Sequence, residues 1–165
     1  MKKMAFLLAQ LSKSEIRSIN ITAEGEISEY LDSLQTFATV GVLAVSCGDE
    51  VNYVNANFIA KEKGIDLTTS EFSNHSGYQN KVSINITTPT GVKTISGTVF
   101  NEDVQRIVEI NGFPLDIEPK GKMIIMRNHD IPGVIGEVGK ILGNNSINIA
   151  DFRLSRGKDG ALAVI

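Results

Sequence analysis

The sequence predicts an α/β (α+β) fold, with helices and an antiparallel sheet in residues 1–120 and a smaller β-α-β-β unit in residues 121–165. Three observations lead to this prediction. Apolar residues in the first part of the chain recur at the spacing of a helix face. Alternating residues then indicate strands, and Asn111-Gly112 between two of them is the strongest short-range signal of a β-hairpin. After the polar stretch Pro119-Lys120-Gly121-Lys122 the pattern restarts, which predicts the second unit.

Three helices are predicted before Gly64. The first has an apolar stripe that consists of Met4, Leu7, Leu8 and Leu11. The second has a longer apolar face that consists of Leu31, Leu34, Ala38, Val42 and Val45. Asp32 and Ser28 are both candidates for its N-cap. The third is predicted from the shared face of Val51, Val54, Phe58 and Ile59. Gly64 is well placed to end this third helix.

Strands are predicted where apolar and polar residues alternate. Ile19 and Ile21 mark a short strand, and Ile65 to Thr69 mark another after the third helix. An antiparallel meander is predicted next, with strands at residues 82–86, 93–100 and 104–110. The second unit is predicted as a strand at 123–126, a helix at 130–142 that Gly143 closes, and strands at 147–154 and 161–165.

The composition excludes several classes of protein. Sixteen basic and nineteen acidic residues give a net charge of −3, so we expect no general attraction to nucleic acid or to an anionic membrane. No apolar run approaches the length of a membrane span, and the N-terminus lacks the form of a signal peptide. The single cysteine, Cys47, excludes internal disulfides and multi-cysteine metal or iron–sulfur sites within one chain, and it fits a reducing, cytoplasmic setting. We interpret Cys47 as a small buried apolar residue.

Several blocks of sequence resemble a known family. Asn128-His129-Asp130-Ile131-Pro132-Gly133-Val134-Ile135-Gly136 and Ser146-Ile147-Asn148-Ile149-Ala150 resemble an ACT domain, a small ferredoxin-like regulatory module that binds amino acids. The upstream blocks are Val51-Asn52-Tyr53-Val54-Asn55-Ala56, Ala60-Lys61-Glu62-Lys63-Gly64-Ile65, Gly97-Thr98-Val99-Phe100 and Arg106-Ile107-Val108-Glu109-Ile110-Asn111-Gly112. In this order they resemble the C-terminal part of long-type D-3-phosphoglycerate dehydrogenases, and the resemblance covers nearly the whole chain.

The resemblance implies an intervening domain, also called the allosteric substrate-binding domain, in residues 1–120, and an incomplete ACT domain in residues 121–165. A complete β-α-β-β-α-β module would need a second helix and a fourth strand, so we expect the module to be cut. Such a half-module has an open strand edge that would promote homo-oligomers. The alternatives are a serine dehydratase-type regulatory piece, which would need an iron–sulfur cluster, and a stand-alone amino-acid-sensing module.

The family's catalytic elements are not found in this sequence. There is no G-x-G-x-x-G fingerprint after a strand, and Gly133, Gly136 and Gly139 recur at the wrong spacing for it. We interpret those three glycines as a strip of small residues that allows close packing. We therefore expect a non-catalytic regulatory and oligomerisation fragment with no cofactor of its own, NAD belonging to the parent enzyme.

The resemblance implies that L-serine, the end product of the parent enzyme's pathway, binds between two ACT domains as an effector. A helix N-terminus can hold a carboxylate, and side-chain oxygens can accept hydrogen bonds from an ammonium. The expected effector-binding residues are Asn128, Asp130, Gly133, Val134 and Ile135 of one subunit and Asn148 of the other. Asp130 as a helix N-cap and Asn148 as an ordinary turn amide are the alternatives. We interpret His129, and His75 in a polar loop, as ordinary surface residues.

The resemblance also implies an anion site for a phosphorylated, substrate-like molecule in the first unit. Arg106 matches a basic residue of that site, and Lys81 and Lys93 could contribute if the hairpin brings them close. Two positions that are basic in some relatives are Pro114 and Glu118 here, and neither can bind phosphate. A structural domain with solvated charges is therefore the alternative.

Overall fold

The computed structural model describes residues 1–72, 77–101, 103–157 and 160–165, so His75 lies outside the described residues. The helices are α1 (Lys2–Ser12), α2 (Leu31–Cys47), α3 (Ala56–Glu62) and α4 (Val134–Asn144). The strands are β1 (Ser18–Glu24), β2 (Asp66–Glu71), β3 (Lys81–Thr88), β4 (Gly91–Phe100), β5 (Val104–Ile110), β6 (Phe113–Ile117), β7 (Ile125–Asn128), β8 (Arg153–Gly157) and β9 (Gly160–Val164). This mixture of helices and strands confirms the predicted α/β (α+β) class.

A six-stranded sheet with the order β2-β1-β3-β4-β5-β6 forms the larger part of the molecule. The predicted antiparallel meander is confirmed over β3 to β6, where Asn111 and Gly112 both have positive φ in the β5–β6 turn. β2 differs from a simple meander because it pairs with β1 in parallel. Parallel neighbours need a long crossover, and here α2 and α3 provide it.

Two helices cover one face of this sheet. α1 packs against β3 and β4, and α2 packs against β1 and β2. The inward positions of the strands are mostly isoleucines, and burying them drives the packing of the helices on the sheet. α1 and α2 approach closely at Gly41, where a Cβ would lie 2.3 Å from the Lys2 carbonyl oxygen. The core of the molecule therefore lies between these two helices and the sheet.

The second sheet has the strand order β7-β9-β8 and is antiparallel throughout. With α4 between β7 and β8, the element order is the predicted β-α-β-β. Leu162 and Val164 of β9 belong to the same buried cluster as Phe113 and Ile117 of β6. The two sheets therefore share apolar contacts, and the boundary after residue 120 stays a prediction.

The predicted third helix begins too early. α3 starts at Ala56, and Val54 lies before it with 94% of its surface exposed. Asn52 Oδ1 accepts hydrogen bonds from the N–H groups of Val54 and Asn55, and Asn55 Oδ1 accepts one from the Asn52 N–H. These side chains hold the backbone in a turn that competes with the helix. Gly64 follows the C-cap Lys63 with a positive φ, as predicted.

Other sequence-based boundaries also need correction. α2 has Tyr30 as its N-cap, so neither Asp32 nor Ser28 caps it. α4 continues through Gly143 to Asn144, because the N–H of Asn145 still donates to the Ile141 carbonyl. The strand predicted at 147–154 begins only at Arg153.

Within the described residues, one helical segment is long and apolar enough to cross a membrane, contrary to the sequence-based expectation. It runs from Glu26 to Glu50 and contains α2. The inward face of α2 nevertheless packs on α1 and β1 in the core, which is the behaviour of a core helix. Cys47 at the end of α2 is half-buried rather than fully buried.

Candidate functional site

The junction between β7 and α4 brings together most of the predicted effector-binding residues. Asn128 is the last residue of β7, and it pairs with Ala161 on the central strand β9. Two residues later Asp130 has a φ of 53°, and its N–H donates a 2.7 Å hydrogen bond to Asn128 Oδ1. This Asx-type turn directs the chain from the strand towards the helix.

The amide of Asn128 has an unused donor. Its Nδ2 is shielded from solvent and has no hydrogen-bond partner within the described ranges. A buried amide donor without a partner costs free energy, so native structures usually supply one. The strand–helix junction therefore holds an unsatisfied polar group.

The N-terminus of α4 offers further donors. Gly133 is the N-cap with a φ of 93°, and no side chain caps the helix. Val134 and Ile135 form its first turn, where backbone N–H groups have no partner inside the helix. The alternative role of Asp130 as the N-cap is wrong, because Gly133 occupies that position. The glycine strip of α4 does not pack closely on described residues, since a Cβ at Gly136 or Gly139 would meet nothing within 4 Å.

The carboxylate of Asp130 is bound by an arginine that the sequence analysis missed. Arg156 Nε donates to Asp130 Oδ2 at 2.7 Å. Arg156 on β8 and Asn128 on β7 both pair with Ala161 on β9, so they lie in one row across the sheet. The register of β8 on β9, which no motif in the sequence indicates, places Arg156 across Ala161 from Asn128.

Asn148 lies elsewhere in the chain. It is exposed in the segment after α4, whereas Asn128 and Asp130 precede that helix. Eleven residues of helix span about 16 Å, so Asn148 is not brought to the N-terminal junction of its own chain. It lines instead a cavity of about 460 Å³ with Arg106, Glu118 and Lys122.

The three basic residues of the predicted anion site are not brought together. Arg106 lies 3.5 Å from Asp116, whereas Lys81 lies 3.9 Å from Glu109 and lines a separate cavity. Lys93 lines a third cavity beside the β5–β6 turn. Neighbouring carboxylates therefore balance two of the three cations, which favours the alternative of a structural domain with solvated charges.

Glu118, which the resemblance places at a position that is basic in some relatives, forms an ion pair with its neighbour Lys120. A hydrogen bond from Lys120, whose Nζ lies 2.6 Å from Glu118 Oε2, lowers the pKa of this carboxyl. Glu118 is therefore anionic at neutral pH and would repel a phosphate in the adjoining cavity. Arg106 and Lys122 would have to overcome this charge in any anion site there.

Comparison with known proteins gives one consistent result. A sequence model of the family described as D-3-phosphoglycerate dehydrogenase intervening domain matches residues 1–111. A relative from Bacillus subtilis, a D-3-phosphoglycerate dehydrogenase, is 37% identical over 164 residues, which are 99% of this chain and 31% of the relative. Relatives of the same name from Mycobacterium leprae and Synechocystis are 31% and 30% identical over 99% and 91% of the chain.

The match is restricted to one part of these relatives. The chain spans only 31% of the length of the Mycobacterium leprae protein and 27% of the Synechocystis protein. About two thirds of each relative therefore has no counterpart in the 165 residues. The alignments extend past residue 111 and include the second sheet with the Asn128–Asp130 junction.

Proposed function

Because the chain belongs to the D-3-phosphoglycerate dehydrogenase intervening-domain family, we propose that it is a regulatory fragment of such an enzyme and binds L-serine at the β7–α4 junction. Serine carries an ammonium, a carboxylate and a hydroxyl. The ammonium binds the Asp130 carboxylate, and the carboxylate binds the N–H groups at the start of α4. Asn148 of a second copy completes the site, which makes the effector site part of a homo-oligomer interface.

The orphaned donor of Asn128 is the observation that carries this proposal. Its Nδ2 is shielded from solvent and lacks a partner among the described residues, and a single turn joins Asn128 to Asp130, three residues before the N-cap Gly133 of α4. A ligand with an anionic group and a cationic group uses all three features together. A simple phosphate would satisfy the donors but offers no cationic group to the Asp130 carboxylate.

The proposal includes the role of the fragment in its parent. The parent oxidises 3-phosphoglycerate with NAD in the cytoplasm, and this fragment holds neither the cofactor nor the catalytic residues. Serine binding shifts the arrangement of subunits and so couples the effector site to the distant catalytic domains. The coupling is a free energy, by which occupation of one site changes the affinity of the other. Such couplings are typically about 1–3 kcal/mol.

Isothermal titration calorimetry of the 165-residue chain with L-serine tests the effector site. We expect saturable binding by the wild type and at least about tenfold weaker binding by Asp130→Ala, because a charge-assisted hydrogen bond to the ammonium is lost. Asp151→Ala is the matched control, since Asp151 also pairs with an arginine of β8, at 3.2 Å. Absence of binding by the wild type, or equal losses in both variants, would contradict the proposal.

A further inference from the structure

Asp130 and Arg156 form an ion pair. In the proposed function the Asp130 carboxylate binds the ligand's ammonium, so the guanidinium of Arg156 lies next to the place of that ammonium. The side chains of Asp130 and Arg156 are 34% and 71% exposed, so the pair lies at the surface, where a ligand can approach both groups. We infer that Arg156 is a specificity-determining residue, which makes the site select a zwitterionic amino acid over a simple amine. This inference rests on the proposed function and adds a selectivity to it.

The charge balance of the pair is the basis for this selectivity. Asp130 alone would present one negative charge and would attract any small cation. With Arg156 bound to Oδ2 the pair is neutral, while the carboxylate keeps acceptor capacity on Oδ1 and the guanidinium keeps donors on its terminal nitrogens. A zwitterion gains attraction at both ends of such a pair. A simple amine gains attraction from Asp130 only and is repelled by Arg156.

The strand register fixes Arg156 at this position. Because Arg156 and Asn128 are both paired with Ala161, the arginine emerges in the same row as the amide of the site. The first residue of β9 lies against the end of β7, since a Cβ at Gly160 would be 2.3 Å from the Asn128 carbonyl oxygen. The arginine is therefore positioned by the sheet rather than by a flexible loop.

The same strand carries a matched control. Arg153 of β8 also makes an exposed ion pair, with Asp151 at 3.2 Å. It is three residues from Arg156, so the two side chains point to opposite faces of the strand. Loss of either arginine removes one positive charge from the same strand, but only Arg156 contacts Asp130.

The test compares two ligands of the 165-residue chain. Calorimetry gives the dissociation constant of L-serine, and competition against L-serine gives that of ethanolamine, which keeps the ammonium and hydroxyl but lacks the carboxylate. In Arg156→Gln we expect the ratio of the ethanolamine constant to the serine constant to fall about fivefold, the size expected for one exposed charge at contact distance. Arg156→Lys is expected to keep most of the wild-type ratio, and Arg153→Gln to leave it unchanged.

Each outcome decides the inference. If the wild type binds L-serine and the ratio is unchanged in Arg156→Gln, the role of Arg156 is overturned while the proposed function stands. A fall of equal size in Arg153→Gln overturns it too, because the effect would then be one of net charge. If the wild type binds no L-serine, both proposals fail. A fall confined to Arg156→Gln supports the inference.

Discussion

The two units of the molecule, residues 1–120 and residues 121–165, differ in how their isoleucines are covered. In the larger unit the fully buried side chains beneath α1 and α2 are Ile19, Ile21, Ile84, Ile86, Ile95, Ile107 and Ile110. In the smaller unit the exposed ones are Ile124, Ile131, Ile135, Ile141, Ile147 and Ile149. Apolar periodicity is equally clear in the sequences of both units. The periodicity therefore predicts which face of a helix or strand is suited to burial, but it does not predict which part of the molecule covers that face. The described part of the chain covers the first set and leaves the second exposed.

The largest expected effect is the difference in lost stability between replacing a buried isoleucine and replacing an exposed one by alanine. Ile84 is fully buried, so Ile84→Ala is expected to lower the free energy of unfolding by about 4 kcal/mol through lost burial and a cavity. Ile141 is 56% exposed, and Ile141→Ala is expected to cost no more than about 0.5 kcal/mol in the isolated chain. Urea denaturation at low protein concentration measures both.

The dependence of the two costs on protein concentration tests whether a second copy of the chain covers α4. If a second copy covers the face of α4, the cost of Ile141→Ala rises with protein concentration, because association stabilises the folded state by mass action. The cost of Ile84→Ala does not depend on concentration. Equal costs for the two substitutions at low concentration would show that the exposed face of α4 is covered within one chain.

The second prediction compares glycines inside two helices. Gly41 of α2 lies against α1, where a Cβ would be 2.3 Å from the Lys2 carbonyl and 2.8 Å from Ala5 Cβ, so Gly41→Ala is expected to destabilise by about 2 kcal/mol. Gly139 of α4 has open space around it, so Gly139→Ala is expected to stabilise by up to about 1 kcal/mol through helix propensity. Thermal unfolding of both variants gives the two signs. Destabilisation by Gly139→Ala would mean that the α4 glycine strip packs against a partner.

The sequence predicted the larger sheet well because its strands follow simple rules. Alternation in β3 and the Asn111-Gly112 turn are local signals, and the structure agrees with both. The start of α3 could not be predicted from periodicity alone. There the reciprocal hydrogen bonds of Asn52 and Asn55 outweigh an apolar pattern, so that Val54 remains exposed.

The candidate site was predicted only where its residues are close in sequence. Asn128, Asp130 and the start of α4 fall in one block, and a single turn joins them. Arg156 was missed because its contact with Asp130 depends on the register of β8 and β9, which the sequence does not reveal. The grouping of Arg106, Lys81 and Lys93 required a register that places them on one face, and they line different cavities.

The smallest expected effect concerns the segment between the two sheets, where Lys120 and Glu118 form an exposed ion pair. The hydrogen bond from Lys120 lowers the pKa of Glu118, so the pair stabilises the folded state above the unfolded pKa of this carboxyl, and the contribution is lost as pH falls through the lowered folded value. Solvent screens both groups, so Lys120→Gln is expected to leave the free energy of unfolding at neutral pH almost unchanged. Denaturation of wild type and variant at neutral pH and in mild acid measures this difference, which must shrink towards acid. A large difference in the free energy of unfolding at neutral pH would mean that the ion pair orients one sheet against the other. The apolar cluster that contains Ile117 and Val164 would then not be the sole link between the two sheets.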